Sequence, residues 1–138
     1  MKRELIFPAT IENIEAVTDF VNEYLEEIGC PMKAQMQIAI VIDEIFSNIA
    51  HYAYASATGD ARVSVDFDSK SGSVVLSFAD EGVRYDPLTN IDPDITLSAD
   101  ERQIGGMGIF MVKKLTDKVA YEYTEGKNVL TVWKKVNL

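Results

Sequence analysis

The sequence has little cysteine, an excess of acidic over basic residues and no long hydrophobic run. Its single cysteine, Cys30, cannot form a disulfide within the chain, which fits a reducing compartment. Thirteen Lys and Arg stand against 22 Asp and Glu, giving a formal net charge of −9. Because phosphate backbones repel so acidic a chain, we expect no direct contact with nucleic acid.

Targeting and membrane segments are also missing from the pattern. The first apolar stretch ends at Pro8, which is too early for a signal peptide. The longest other stretch, residues 38–49, is interrupted by charged and polar side chains, so no segment is expected to cross a membrane. We therefore expect a cytoplasmic protein.

Length and composition favour one globular domain. The chain has 138 residues, of which 47% are hydrophobic and 25% charged. These values exclude a disordered chain, a collagen-like repeat and a disulfide scaffold, and they predict a single domain over residues 1–138.

The order of predicted elements indicates the fold class. Helical spacing predicts a helix over residues 11–28, capped by Thr10 and ended by Gly29, and a second over residues 31–55. Strands, a long connection and a third helix complete the pattern: strands 2–8, 61–67, 73–78, 118–123 and 128–136, connection 85–105 and helix 109–115. This order predicts an α+β two-layer sandwich, in which helices cover one face of a mixed, mostly antiparallel sheet.

The second helix carries a polar stripe beside its apolar one. Glu44, Asn48 and His51 follow at positions i, i+4 and i+7, so they share one face. A carboxylate and a carboxamide stacked in this way suit a hydrated divalent cation, or a base beside a metal ligand. A solvated helix surface gives the same pattern, and His51 alone is typical of a structural or surface residue.

Two further segments contain residues that could bind a ligand. Asp80 and Gly82 follow a predicted strand, where a carboxylate can accept a hydrogen bond from a ligand's amino group, although a plain turn has the same composition. Gly105, Gly106 and Gly108 precede a helix, where backbone N–H groups and the helix dipole attract phosphate, although a hinge has glycines too. Neither a Walker loop nor the usual protein-kinase motifs are present.

The order of these segments resembles the GHKL ATPase superfamily, whose members share the Bergerat nucleotide-binding fold. The similarity is to its anti-sigma factor serine/threonine kinase branch, and four segments carry it: residues 43–54 (DEIFSNIAHYAY), 80–87 (DEGVRYDP), 104–117 (IGGMGIFMVKKLTD) and 128–132 (NVLTV). Arg84 occupies the place of a second glycine that many superfamily members have, and this branch often lacks that glycine.

The resemblance implies roles for particular residues. It implies that Asn48 coordinates Mg²⁺ bridging the ATP phosphates, that Glu44 is the general base, and that Asp80 binds the adenine amino group beside Gly82. The glycine box would hold the phosphates through the segment Gly105, Gly106, Met107 and Gly108. Residues 86–104 would be the ATP lid, and Arg102 is the arginine nearest the glycine box for contact with the γ-phosphate.

The resemblance also implies a function. We expect an anti-sigma factor that uses ATP and Mg²⁺ to phosphorylate a serine or threonine of an anti-sigma factor antagonist and that sequesters a sigma factor, commonly as a homodimer. The alternatives are an ATP-binding partner-switch module without significant kinase activity, a hydrolytic ATPase of the same fold, and a structural domain without nucleotide.

Overall fold

A computed structural model describes residues 1–54, 58–89 and 106–137 of the chain. Its five strands and three α-helices, in chain order, are β1 (Arg3–Pro8), α1 (Ile14–Glu27), α2 (Met32–Asn48), β2 (Asp60–Asp68), β3 (Ser73–Asp80), α3 (Gly106–Leu115), β4 (Lys118–Thr124) and β5 (Lys127–Lys135). Short 3₁₀ turns occupy Ile11–Asn13 and Pro87–Thr89, and a π-helical segment, Ile49–Ala53, continues α2.

The strands form one sheet in the order β1-β2-β3-β5-β4. All four described pairings are antiparallel, where the sequence led us to expect a mixed, mostly antiparallel sheet. Two pairings follow from hairpins, and the second hairpin turns at Glu125 and Gly126, both with positive φ as a tight two-residue turn requires. The predicted α+β class is confirmed.

Helices cover one face of the sheet, and every second residue of the central strands is apolar and points to that face. In register, Val63 lies opposite Phe78 and Phe78 opposite Leu130, and all three are buried. This alternation places one side of each central strand in the core. The first two helices contribute to the core through their buried side chains. These are Val17, Val21, Tyr24 and Leu25 of α1 and Ala34, Ile38, Val41, Ile42, Ile45 and Phe46 of α2.

The first helix begins later than the sequence predicted. Residues Ile11–Asn13 form a 3₁₀ turn, and Thr10 makes no side-chain capping bond, so the predicted cap is wrong. Instead the Thr10 hydroxyl accepts a hydrogen bond from Asn13 Nδ2 at 3.0 Å. The helix ends at Glu27, and Gly29 follows as predicted with a φ of +75°, the left-handed conformation that favours glycine.

The other boundaries also differ from the predicted ones. The second helix stops at Asn48 and gives way to the π-helical segment, and β3 extends to include Asp80. The third helix begins at Gly106 instead of residue 109, so two of the predicted loop glycines lie in its first turn. Among residues 1–54, 58–89 and 106–137, no helix has both the length and the apolar character needed to cross a bilayer.

Replacing the buried Phe46 tests where the core lies. The ring is fully buried on α2, so Phe46→Ala leaves a cavity and should lower the free energy of unfolding by about 3–5 kcal/mol. Urea denaturation measures the change. Met36 on the same helix is 63% exposed, so Met36→Ala serves as the control and should change stability by no more than about 0.5 kcal/mol. Equal losses in the two variants would contradict this placement of the core.

Candidate functional site

A cavity of about 570 Å³ lies where the end of α2 meets β3, β5 and α3. Its walls are mainly apolar and include Ile45, Ile49, Phe78, Val83, Ile109 and Leu130. Polar groups enter it at a few points, namely Asn48, Asp80, Arg84, Tyr121 and Asn128. An apolar cleft of this size with a few fixed polar groups is typical of sites for small organic ligands.

Asp80 is the acidic group in this cavity, and its two carboxylate oxygens differ. The residue ends β3 and is only 7% exposed. Its Oδ1 accepts hydrogen bonds from the backbone N–H of Gly82 at 2.9 Å and from Asn128 Nδ2 at 3.0 Å. Among the described residues Oδ2 accepts none, so this oxygen is left for a donor that enters the cavity.

Gly82 allows the loop after Asp80 to touch the π-helical segment. A Cβ atom on Gly82 would overlap the backbone carbonyl of Ala53, and the next N–H, of Val83, donates to the Ala53 oxygen at 2.8 Å. The resemblance placed Gly82 beside the adenine, and in the structure this glycine packs against Ala53 of the same chain. π-Helical turns are uncommon and often occur at functional sites.

Tyr54 fastens the same loop from the other side. Its hydroxyl donates to the carbonyl of Asp60 at 2.6 Å and accepts from the N–H of Glu81 at 2.8 Å. The ends of β2 and β3 are thereby tied to the residue that follows the π-helical segment. Sequence reasoning missed this role, because a tyrosine in an apolar helical pattern is usually a core residue.

Glu44 lies one turn before Asn48 on α2, beside the start of α3. The Oε2 atom of Glu44 is 2.7 Å from the point that a Cβ on Gly108 would occupy, and Asn48 Nδ2 is 3.8 Å from it. Burial, and second the nearby charge of Asp43, raise the pKa of Glu44 above its ordinary value. A half-buried carboxylate with a raised pKa is a suitable general base.

The predicted site residues are therefore only partly brought together in the described structure. Asn48 and Asp80 line the cavity, while Glu44 and Gly108 contact each other beside it. His51 is exposed, its ring lies 5.9 Å from that of Tyr52, and it is not among the cavity residues.

Several sequence-derived assignments fall outside the described residues. Gly105, Arg102 and residues 90–104 of the predicted lid are among them, as is the side chain of Met107. Gly106 is described as the first residue of α3. Of the predicted lid, residues 86–89 are described, with a 3₁₀ turn over Pro87–Thr89.

Asn128 and Tyr121 are cavity residues that sequence reasoning did not single out. Asn128 is 7% exposed and lies opposite Asp80 in the register of β3 with β5. Tyr121 on β4 donates its hydroxyl to Asn128 Oδ1 at 2.6 Å. An asparagine inside a strand, where this residue type is uncommon, is the signal that could have indicated it.

Comparison with known proteins agrees with this geometry. The sequence model of the histidine kinase-like ATPase domain matches residues 7–134. The chain is 26% identical over 100 residues to the serine/threonine-protein kinase BtrW of Bordetella bronchiseptica, covering 72% of this chain and 70% of that protein. It is 25% identical over 133 residues to the serine-protein kinase RsbW of Listeria monocytogenes, covering 94% and 84%.

Two solved structures share the fold. A crystal structure of the RsbU and RsbW domains of a Mycobacterium tuberculosis protein aligns with 99% of this chain at a TM-score of 0.71 and 20% identity. This chain spans 32% of that longer chain. The SiaB–SiaC complex of Pseudomonas aeruginosa aligns at a TM-score of 0.57 and 19% identity, covering 96% of this chain and 89% of the other.

These findings confirm the resemblance to anti-sigma factor serine kinases of the GHKL superfamily. The matched segment includes the end of α2, the strand-end Asp80 and the start of α3, which are the parts that form the cavity. The chain belongs to the family of histidine kinase-like ATPase domains.

Proposed function

We propose that residues 1–138 act as one ATP-dependent protein serine/threonine kinase unit of a partner-switching system. One observation carries the proposal: Asp80, whose Oδ2 has no hydrogen-bond donor among the described residues, lines a mainly apolar cavity together with Asn48, in a chain of the ATPase-domain family. The relatives named as serine kinases support the transfer of phosphate to a protein hydroxyl. Their identity of 24–26% leaves the substrate of this chain as part of the proposal.

The cavity suits a purine base. An apolar wall accommodates the ring faces, and Oδ2 of Asp80 accepts a hydrogen bond from an exocyclic amino group. Guanine presents an oxygen at the equivalent position, which a carboxylate repels. Adenine is therefore the base that fits, and we take ATP as the nucleotide.

The triphosphate would extend toward Asn48 and the start of α3. In a chain with a net charge of −9, positive potential must come from backbone N–H groups, the helix dipole and a metal ion. Among the described residues no group of three His, Cys, Asp or Glu side chains could hold a metal. Asn48 would accordingly be the residue of this chain that holds Mg²⁺, and the ion would neutralise phosphate charge.

Glu44 would serve as the base. It accepts the proton of the acceptor serine or threonine as the hydroxyl oxygen bonds to the γ-phosphorus and the bond to the leaving ADP oxygen breaks. Mg²⁺ supplies neutralisation of phosphate charge when bound. Gly106 and Gly108, with Gly105 and Met107, would hold the phosphates, and Arg102 would contact the γ-phosphate.

We propose the partners from the resemblance to anti-sigma factor kinases. The protein that receives the phosphate would be an anti-sigma factor antagonist, and the protein sequestered by the free kinase would be a sigma factor. We further propose a homodimer and a cytoplasmic location. The alternative is a module that binds ATP and switches partners without transfer, which labelled ATP distinguishes by the absence of phosphorylated antagonist.

Asp80→Asn should weaken ATP binding. An asparagine can keep Oδ1 for its two donors, but it then turns an N–H₂ group toward the adenine amino group. Losing a hydrogen bond to a charged acceptor should reduce affinity on the order of tenfold to a hundredfold. Isothermal titration with ATP and Mg²⁺ measures the change.

Glu81→Gln is the matched control for this titration. It removes the same charge from the neighbouring residue, which is exposed and is not a cavity residue. Its affinity should stay close to that of the wild type. Equal affinities for Asp80→Asn and Glu81→Gln would refute the assignment of Asp80, and no ATP binding by the folded wild type would refute the proposed function.

Glu44→Gln should retain ATP binding and lose roughly two to four orders of magnitude in the rate of transfer to the antagonist. The wild-type rate should rise with pH through the raised pKa of Glu44, because only the ionised carboxylate accepts the proton. Asp43→Asn removes a neighbouring charge that raises this pKa and should move the profile to lower pH. Transfer by Glu44→Gln at the wild-type rate would disprove the base assignment.

A further inference from the structure

Asn128 forms several hydrogen bonds with other groups around the cavity, and the proposed function gives it no role. Its Nδ2 donates to Asp80 Oδ1 at 3.0 Å and to the carbonyl of Val83 at 2.9 Å, with a longer contact of 3.5 Å to the carbonyl of Gly82. Its Oδ1 accepts from the N–H of Tyr85 at 3.0 Å and from the hydroxyl of Tyr121 at 2.6 Å.

These partners fix the orientation of the Asn128 amide. A backbone N–H can only donate and a backbone carbonyl can only accept, so Tyr85 demands an oxygen and Val83 demands an N–H₂ group. The reversed amide would lose both bonds and would place an oxygen against the carboxylate of Asp80. Burial also raises the pKa of Tyr121, so its hydroxyl stays protonated and remains a donor.

The amide also fixes the plane of the Asp80 carboxylate, because one carboxylate oxygen is held by two donors. With Nδ2 of Asn128 and the N–H of Gly82 both on Oδ1, rotation of the carboxylate would break two hydrogen bonds in a buried setting. The other oxygen, which has no donor among the described residues, is therefore held in one position on a residue that lines the cavity. The same amide also holds the backbone of residues 82–85, which forms one wall.

We propose that Asn128, held by Tyr121 and the Tyr85 N–H, is a positioning residue that orients Asp80 and sets the preference for a base with a 6-amino group. This inference rests on the proposed ATP binding and deepens it. It assigns specificity for the base to a residue on β5, a strand that does not carry Asp80.

Removing the amide tests the proposal through the base and not only through affinity. Asn128→Ala should weaken the binding of ATP on the order of tenfold or more. Purine riboside triphosphate lacks the 6-amino group and makes no bond to Asp80, so its affinity should change much less. The test quantity is the affinity for ATP divided by the affinity for purine riboside triphosphate, both measured by titration. This ratio should be lower in Asn128→Ala than in the wild type and should approach the ratio in Asp80→Asn.

An isosteric carboxylate gives a signature that a merely structural residue would not. In Asn128→Asp two carboxyl groups meet, and such a pair binds a shared proton with a raised pKa. When the introduced carboxyl is protonated it again donates to Asp80, so ATP affinity of this variant should improve from about pH 8 to about pH 5. The wild type, titrated over the same range, supplies the contribution of ATP's own protonation.

The same variant has a readout that needs no nucleotide. A carboxyl whose pKa is raised on folding stabilises the fold below its unfolded pKa, and this contribution is lost as pH rises through the folded pKa. The melting temperature of Asn128→Asp relative to the wild type should therefore be lower at neutral pH than at acidic pH.

Two further variants serve as comparisons. Tyr121→Phe keeps the ring and removes one of the two donors to Asn128, so it should lower the ratio in the same direction but less. Thr131→Val is the matched control, because Thr131 lies on the face of β5 opposite to Asn128. Its hydroxyl is 2.7 Å from the hydroxyl of Ser77, with which it forms a hydrogen bond. It should leave the ratio unchanged.

The outcomes separate this inference from the proposed function. A wild type that binds ATP, together with an Asn128→Ala ratio equal to that of the wild type, would overturn the positioning role alone. A flat pH difference between Asn128→Asp and the wild type would count against it as well. A folded wild type that binds neither triphosphate would overturn the proposed function, and the role of Asn128 in base binding with it.

Discussion

The pairing of β3 with β5 is the constraint on which the candidate site depends. These strands are far apart in the sequence, and their register places Asp80 opposite Asn128. It also brings Phe78 and Leu130 together as one wall of the cavity. A shift of β5 by one residue would turn Asn128 and Leu130 to the other face of the sheet and separate them from Asp80 and Phe78. Burial of the apolar face thus fixes the polar geometry, since the core and the site use the same register.

Binding a polyphosphate is an unusual task for a chain with this charge. The described cavity contains Asp80 and has Glu44 beside it, and both repel an anion. Our proposal resolves this by separating the two ends of the nucleotide. In this proposal a carboxylate would contact the neutral base as an acceptor, whereas helix N–H groups, Asn48 and Mg²⁺ would bind the phosphates. The apolar wall of the cavity would then keep water from the base.

The sequence predicted the architecture better than the contacts within the site. Periodicity located the helices and strands, and Gly29 marked the end of α1, because these signals depend on neighbouring residues. The start of α3 was placed too late, since glycines have low helix propensity and the contact of Gly108 with Glu44 is non-local. The roles of Asn128 and Tyr54 were not predicted because their contacts are also non-local. Their hydrogen-bond partners include Glu81 for Tyr54 and Asp80 and Val83 for Asn128, which are distant in the sequence and which no local pattern reveals.

The close approach of Gly82 to Ala53 has a mechanical consequence. The helix that carries Glu44 and Asn48 continues directly into Ala53, which holds the loop after Asp80 through a backbone hydrogen bond. The residues that we propose to recognise the base and those that we propose to act on the phosphate are therefore connected through α2 and the π-helical segment. A displacement of α2 by a bound protein would move both ends of the nucleotide site together, so partner binding and nucleotide affinity would change in concert without any contact between the two ligands.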